Sequence, residues 1–142
     1  MNILLVEDNP ADMRLVREAV AEHALDATLH WVSSGEAALN FLRRQGAEHD
    51  APVPDLVLLD LNLPGVHGHE VLQAIKSDPA TLHIPVVVLS SSAEPSDVLR
   101  AYRSHGNAYV VKPDDFEQFI ELVGSIQSYW FEAVRLPSQA QG

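Results

Sequence analysis

The chain has 142 residues, 46% apolar and 20% charged, which suits one globular domain with a buried core. Its net charge of -11 disfavours binding to nucleic-acid phosphates and favours a cation or a neutral to basic protein surface. Cysteine is absent, so disulfide and thiolate chemistry are excluded. The amino terminus enters an apolar run without a basic leader, and no run approaches the roughly 18 apolar residues that span a bilayer. A soluble, cytoplasmic protein is expected, with no membrane and no nucleic-acid partner.

In chain order, residues 2–6 read as a continuously apolar strand ending at Glu7-Asp8. Asn9-Pro10 then opens a helix: Asn caps, Pro suits the first turn, and Asp12 favours the positive end of the helix dipole. Leu15, Val16, Ala19 and Val20 recur at helical spacing. Thr28 to Val32 forms the second strand, and Ser33 with Glu36 gives a capping-box signature for the next helix. A polar loop over 46–54 leads to a third strand over 55–60, which ends at Asp60 and a turn-rich Leu61 to Gly68 segment. A helix over about 68–76 stops near Asp78-Pro79. The fourth strand follows Pro85 and ends at Ser90, and a helix near 95–105 stops at Gly106. The fifth strand, Tyr109-Val110-Val111, ends at Lys112-Pro113. A long helix marked by Phe116, Phe119, Ile120, Val123 and Trp130 follows, and the tail frays from about Pro137.

Alternating strands and helices imply an α/β fold with a parallel sheet and right-handed crossovers. Five strands suit the flavodoxin-like, doubly wound order 2-1-3-4-5 with an extended C-terminal helix, and ligands in such sheets bind beyond the carboxyl strand ends. Glu7, Asp8 and Asp60 then meet on adjacent strand ends, near Ser90 and Lys112. Clustered carboxylates repel unless a cation compensates, and an oxygen-only donor set suits Mg²⁺. Asp60 can also act as a nucleophile, since carboxylates form aspartyl phosphates. Lys112 would pair with phosphoryl oxygens, and Ser90 would hydrogen-bond one.

The segments Leu5-Val6-Glu7-Asp8-Asn9, Leu58 to Pro64, Leu89-Ser90-Ser91 and Val111-Lys112-Pro113 resemble the receiver domain of two-component response regulators. The resemblance covers about residues 1–127, with 128–142 as a helix extension and tail. It implies that Asp60 accepts phosphate from a sensor histidine kinase. It also implies that Asp8, Asp60 and the Asn62 carbonyl bind Mg²⁺ with help from Glu7, and that Lys112 contacts the phosphate across a cis peptide at Pro113. Ser90 and Tyr109 would form the switch, with Tyr109 turning inward on phosphorylation. Asn62 and Ser92 occupy positions where receivers tune phosphate lifetime. The protein would then not be an enzyme in its own right, but a phosphoacceptor that assists only its own phosphorylation and dephosphorylation. Kinase helices would dock near Pro10, Met13, Arg14, Arg17 and Pro113-Asp114, with Met13 partly exposed. No DNA-binding domain is expected after the receiver.

The long loop before Asp55 and the aromatic run Tyr129-Trp130-Phe131 resemble single-domain regulators associated with bacterial phytochromes. That resemblance implies a phytochrome kinase and a homodimer through helices four and five, with Tyr102, Tyr129 and Trp130 as dimer candidates. His67 and His69 lack acidic neighbours at ligand spacing and read as solvated loop residues. A flavodoxin-type electron carrier fits the fold and acidity, but Glu7-Asp8-Asn9-Pro10 would repel a flavin phosphate. An aspartate-based phosphatase would place an acid where Asn62 stands. A pseudo-receiver that binds partners without phosphorylation is the remaining alternative.

Overall fold

The computed structural model describes residues 1–22, 27–44 and 50–137. Its strands β1 (Asn2–Val6), β2 (Thr28–Val32), β3 (Leu56–Leu59), β4 (Val86–Ser90) and β5 (Ala108–Val111) form one parallel sheet in the order β2-β1-β3-β4-β5. The connecting helices are α1 (Pro10–Glu22), α2 (Gly35–Arg43), α3 (Gly68–Ser77) and α4 (Pro95–Arg103), with α5 (Phe116–Ser128) after β5. This is the expected doubly wound architecture. Alternate residues of each strand serve opposite cores. Leu4, Val6, Val57, Leu59 and Val88 pack with α2 and α3, whereas Ile3, Leu5, Leu58, Val87 and Leu89 pack with α1 and α5. Burial on both faces explains why the central strands are continuously apolar.

Strand pairing aligns Val6 with Leu59, Leu59 with Val88, and Ser90 with Val111. The ladder continues past the strands: Glu7 N donates to Val32 O at 3.1 Å, Asp60 N to Val6 O at 3.0 Å, and Lys112 N to Ser90 O at 2.8 Å. The first polar residue after each of these strands is thus fixed by backbone hydrogen bonds. Gly68 lets α3 begin directly behind Asp60, because a Cβ there would lie 2.5 Å from Asp60 O and 2.4 Å from Leu61 Cα. No side chain fits at that approach.

Local details correct several expectations. The α2 cap is Ser34, not Ser33; its side chain accepts from Ala37 N at 3.1 Å, which places Glu36 one position too early for a capping box. The left-handed residue after α4 is His105, not Gly106. Phe116 is 60% exposed although the helical pattern placed it with the core, because it opens α5 beyond the edge of the sheet. Met13 is buried among Ile3, Leu5, Val16 and Val20, so it is a core residue and not a partly exposed docking residue. The described peptide bonds are all trans, including Lys112–Pro113.

The helical path after β5 runs on through a π-helical turn, Tyr129–Ala133, and Leu136 beyond it is buried. Most of the expected frayed tail, residues 138–142, lies outside the described residues, as do residues 45–49 of the polar loop before β3.

His69 departs most from its expected place. It is buried in the first turn of α3, its ring stacks on His67 at 5.4 Å, and neither ring nitrogen has a hydrogen-bond partner. Its Nε2 lies 3.5 Å from Asp97 Oδ1 on α4, an acidic neighbour that sequence spacing does not reveal. Burial, aided by the Arg100 charge, lowers the His69 pKa below its ordinary 6.5 despite the attraction of Asp97. The unfolded chain therefore takes up a proton that the folded chain resists, so this contribution is complete above pH 6.5 and is lost as pH falls below it. His69→Leu is expected to raise stability by about 1 kcal/mol at neutral pH, because it removes an unsatisfied buried polar group. Denaturant melts should show a larger gain at pH 5.5 than at pH 7.5.

Candidate functional site: an acidic cleft at the carboxyl strand ends

The loops after β1, β3, β4 and β5 enclose a cleft of about 390 Å³ lined by Glu7, Asp8, Asn9, Asp12, Asp60, Asn62, Ser91 and Lys112. Each side chain arrives by a separate local device. Glu7 and Asp8 leave β1 directly. The Asn9 side chain caps α1 by accepting from Ala11 N at 2.9 Å, as Asn9-Pro10 suggested. That cap turns Asp12 toward the cleft. Asp60 leaves β3, and its Oδ1 accepts from Asn62 N at 3.2 Å, which restricts the carboxylate's rotation.

Lys112 reaches in from β5 and gathers the acids. Its Nζ lies 2.7 Å from Glu7 Oε2, 3.0 Å from Asp12 Oδ2 and 3.6 Å from Asp60 Oδ2. Burial alone would lower the Lys112 pKa, but the hydrogen bond and charge of Glu7, with Asp60 and Asp12, raise it overall. Lys112 therefore remains an ammonium ion. Burial has the reverse effect on Glu7 and lifts its carboxyl from 4.5 to about 7 despite Lys112, with Asp60 adding repulsion. The Glu7 backbone is also held from β2: the Trp31 indole N–H donates to Glu7 O at 2.7 Å.

Oxygen atoms of Glu7, Asp8 and Asp60 can be chosen within 4.8 Å of one another. One ammonium cannot balance these acids and Asp12, and the donors are all hard oxygens. The site therefore fits a divalent cation of the Mg²⁺ or Mn²⁺ kind better than a soft metal.

Glu7, Asp8, Asp60, Asn62 and Lys112 thus converge as the sequence implied. Ser90 is fully buried at the end of β4, and Ser91 forms the cleft wall there. The Ser90 hydroxyl accepts from Ser92 N at 3.1 Å, while Tyr109 donates its hydroxyl to Ser92 O at 2.7 Å. The two expected switch residues therefore meet through Ser92. The Ser92 hydroxyl in turn donates to Asp97 Oδ2 at 2.6 Å, and this bond above all holds the Asp97 carboxyl below its usual range. Tyr109 already packs partly buried against the α2 and α3 side of the core. Its backbone N–H donates to Tyr102 Oη at 3.2 Å. Asp12 was legible only as a helix-start acid; its place one helical turn after Asp8 was the available signal.

The response regulator receiver domain model matches residues 3–124, and the chain belongs to that family. It is 44% identical over 136 residues to response regulator Rcp1 of Synechocystis, covering 96% of this chain and 92% of Rcp1. It is 42% identical to the probable methanogenesis regulatory protein FilR2 of Methanothrix harundinacea, covering 97% and 88% of the two chains. The crystal structure of the phosphorylated cyanobacterial phytochrome response regulator RcpA superposes with a TM-score of 0.93 at 43% identity, covering 96% and 97%. That of Mn²⁺-bound Rcp1 gives 0.92 at 44% identity, covering 96% and 98%.

Because Glu7 holds its proton up to about pH 7, a cation that draws it into ionisation must displace that proton. Affinity for a divalent cation is expected to rise with pH between 6 and 8, with proton release at pH 6.5. Calorimetry in buffers of different ionisation enthalpy would measure this release, and Glu7→Gln should abolish it.

Proposed function

We propose that this response regulator takes a phosphoryl group from a sensor histidine kinase onto Asp60, and that the cleft supports this transfer with Mg²⁺. The convergence of the Lys112 ammonium and three further acids on one buried carboxylate carries the reading. Residues 1–127 would form the receiver, with 128–142 as its extension.

In this scheme the phosphorus–nitrogen bond to the kinase imidazole breaks as a phosphorus–oxygen bond to Asp60 forms, and the imidazole leaves with the bonding electron pair. Asp8, Asp60 and the Asn62 carbonyl would hold Mg²⁺, with Glu7 assisting, and the ion when bound neutralises charge on the phosphoryl oxygens. The Asn62 N–H keeps the Asp60 carboxylate oriented for attack. Lys112 moves its ammonium from the waiting acids to a phosphoryl oxygen. Ser90 gives up the bond from Ser92 N and turns its hydroxyl to the phosphate, so the Ser92 carbonyl that anchors Tyr109 must shift as well. Tyr109 and α4 then follow. The likeness to the phytochrome response regulator RcpA supports a phytochrome kinase as the phosphate source, acting in the cytoplasm.

A homodimer through the face of α4, β5 and α5 belongs to the same proposal. Tyr102 and Tyr129 are 49% and 56% exposed, and Leu99 on α4 and Val111 on β5 are exposed as well. Trp130 is half-buried against the α5 core and meets Tyr129 edge-on at 5.4 Å. Exposed aromatic groups of this kind suit an interface.

Incubation with acetyl phosphate and Mg²⁺ should add one acid-labile phosphate to the protein and none to Asp60→Asn. An unlabelled wild type, or equal labelling of the variant, would remove the phosphoacceptor reading. Light scattering should report a dimer at micromolar concentration that Tyr102→Asp with Tyr129→Asp disrupts, and a monomeric wild type would exclude it.

A further inference from the structure

We propose that Asp12 is a positioning residue that holds the Lys112 ammonium away from Asp60 until a phosphoryl group arrives. The geometry rests on the structure alone; its consequence for phosphorylation rests on the function proposed above. Lys112 Nζ has three N–H donors and three carboxyl groups within reach, but it does not share them equally. Glu7 at 2.7 Å and Asp12 at 3.0 Å take hydrogen bonds, whereas Asp60 at 3.6 Å stands beyond bonding distance. Without Asp12, the nearest uncommitted carboxylate would be Asp60. Losing Asp12 frees a second N–H donor beside the Asp60 carboxylate, and a charge-assisted bond there is the nearest replacement for the one lost.

Asp12 is suited to this because its helix turn is rigid. Asn9 Oδ1 accepts from Ala11 N at 2.9 Å and from Asp12 N at 3.4 Å, and Pro10 fixes the first turn. The next residue, Met13, is buried in the α1 and α5 core and takes an Arg17 N–H on its sulfur at 3.3 Å. Its burial anchors the turn that carries Asp12. Asp12 is itself only partly exposed, with a side-chain exposure of 25%.

The tether has a chemical purpose. An ammonium bonded to Asp60 would spend the negative charge that a nucleophile and a metal ligand both need. It would also place a positive charge against the incoming cation. Held between Glu7 and Asp12, Lys112 leaves both Asp60 oxygens free of it, yet needs only a short movement to reach a phosphoryl group on Asp60.

The test compares wild type with Asp12→Ala and Asp12→Asn. In a metal-free crystal structure of Asp12→Ala, Lys112 Nζ should close on Asp60 Oδ2 to about 2.9 Å, the length of a charge-assisted bond. If Nζ stays bonded to Glu7 alone, beyond hydrogen-bond distance of Asp60, the proposal is overturned. In calorimetry with Mn²⁺, Asp12→Ala should weaken binding by about five-fold, with Asp12→Asn between it and wild type, as expected for a shift of one charge at short range. On a Lys112→Ala background the Asp12→Ala loss should shrink by at least about three-fold, because the effect passes through the ammonium. An equal loss on both backgrounds would mean that Asp12 acts on the cation directly and would overturn the tether. A wild type that binds no divalent ion would contradict the proposed function, while the crystal structure would still decide the position of Lys112.

Discussion

The site depends on one ion: the Lys112 ammonium, buried among Glu7, Asp12 and Asp60. Carboxylates packed this closely repel one another and lose hydration, and burial has already driven Glu7 toward its protonated form. Lys112 meets part of that cost and leaves a deficit of positive charge. The same deficit suits the cleft to a divalent cation and, in the proposed function, to a phosphoryl group once the cation is in place. A fully balanced cluster would be structurally quieter and chemically inert.

The fold delivers these groups through backbone pairing. Hydrogen bonds between strand ends fix the backbones of Glu7, Asp60 and Lys112 independently of their side-chain contacts, and Gly68 allows α3 to start against the Asp60 carbonyl. Ser92 then links the cleft to the rest of the molecule. Its N–H donates to the Ser90 hydroxyl, its own hydroxyl donates to Asp97, and its carbonyl accepts from the Tyr109 hydroxyl. In the proposed switch, Ser92 is thus the residue through which a change at Ser90 would reach α4 and β5.

The sheet and most of the cleft were legible because apolar strands with polar ends give both a period and a register. Val6-Glu7-Asp8, Leu59-Asp60 and Val111-Lys112 each state where a strand stops and what it presents. Tertiary packing was harder to read. His69 looked solvated because its acidic neighbour, Asp97, comes from α4. Met13 looked suited to docking because the receiver resemblance puts the kinase contact on that surface, and the sequence does not show how far α5 covers α1 there. Asp12 was visible as a residue that favours a helix start, but its bond to Lys112 spans 100 positions of sequence. Ser90 was placed correctly at its strand end, yet the direction of its hydroxyl is decided by the following turn.

A phosphoryl mimic offers the most direct measurement of the whole account. Beryllium trifluoride binds a carboxylate as a phosphoryl group would, and backbone NMR can follow its addition residue by residue. With Mg²⁺ present, shifts are expected at Asp60 and Lys112, at Ser90 to Ser92, and onward at Tyr109 and α4; without Mg²⁺ none should appear. Shifts that stop at the cleft, or that develop equally without a divalent ion, would contradict it.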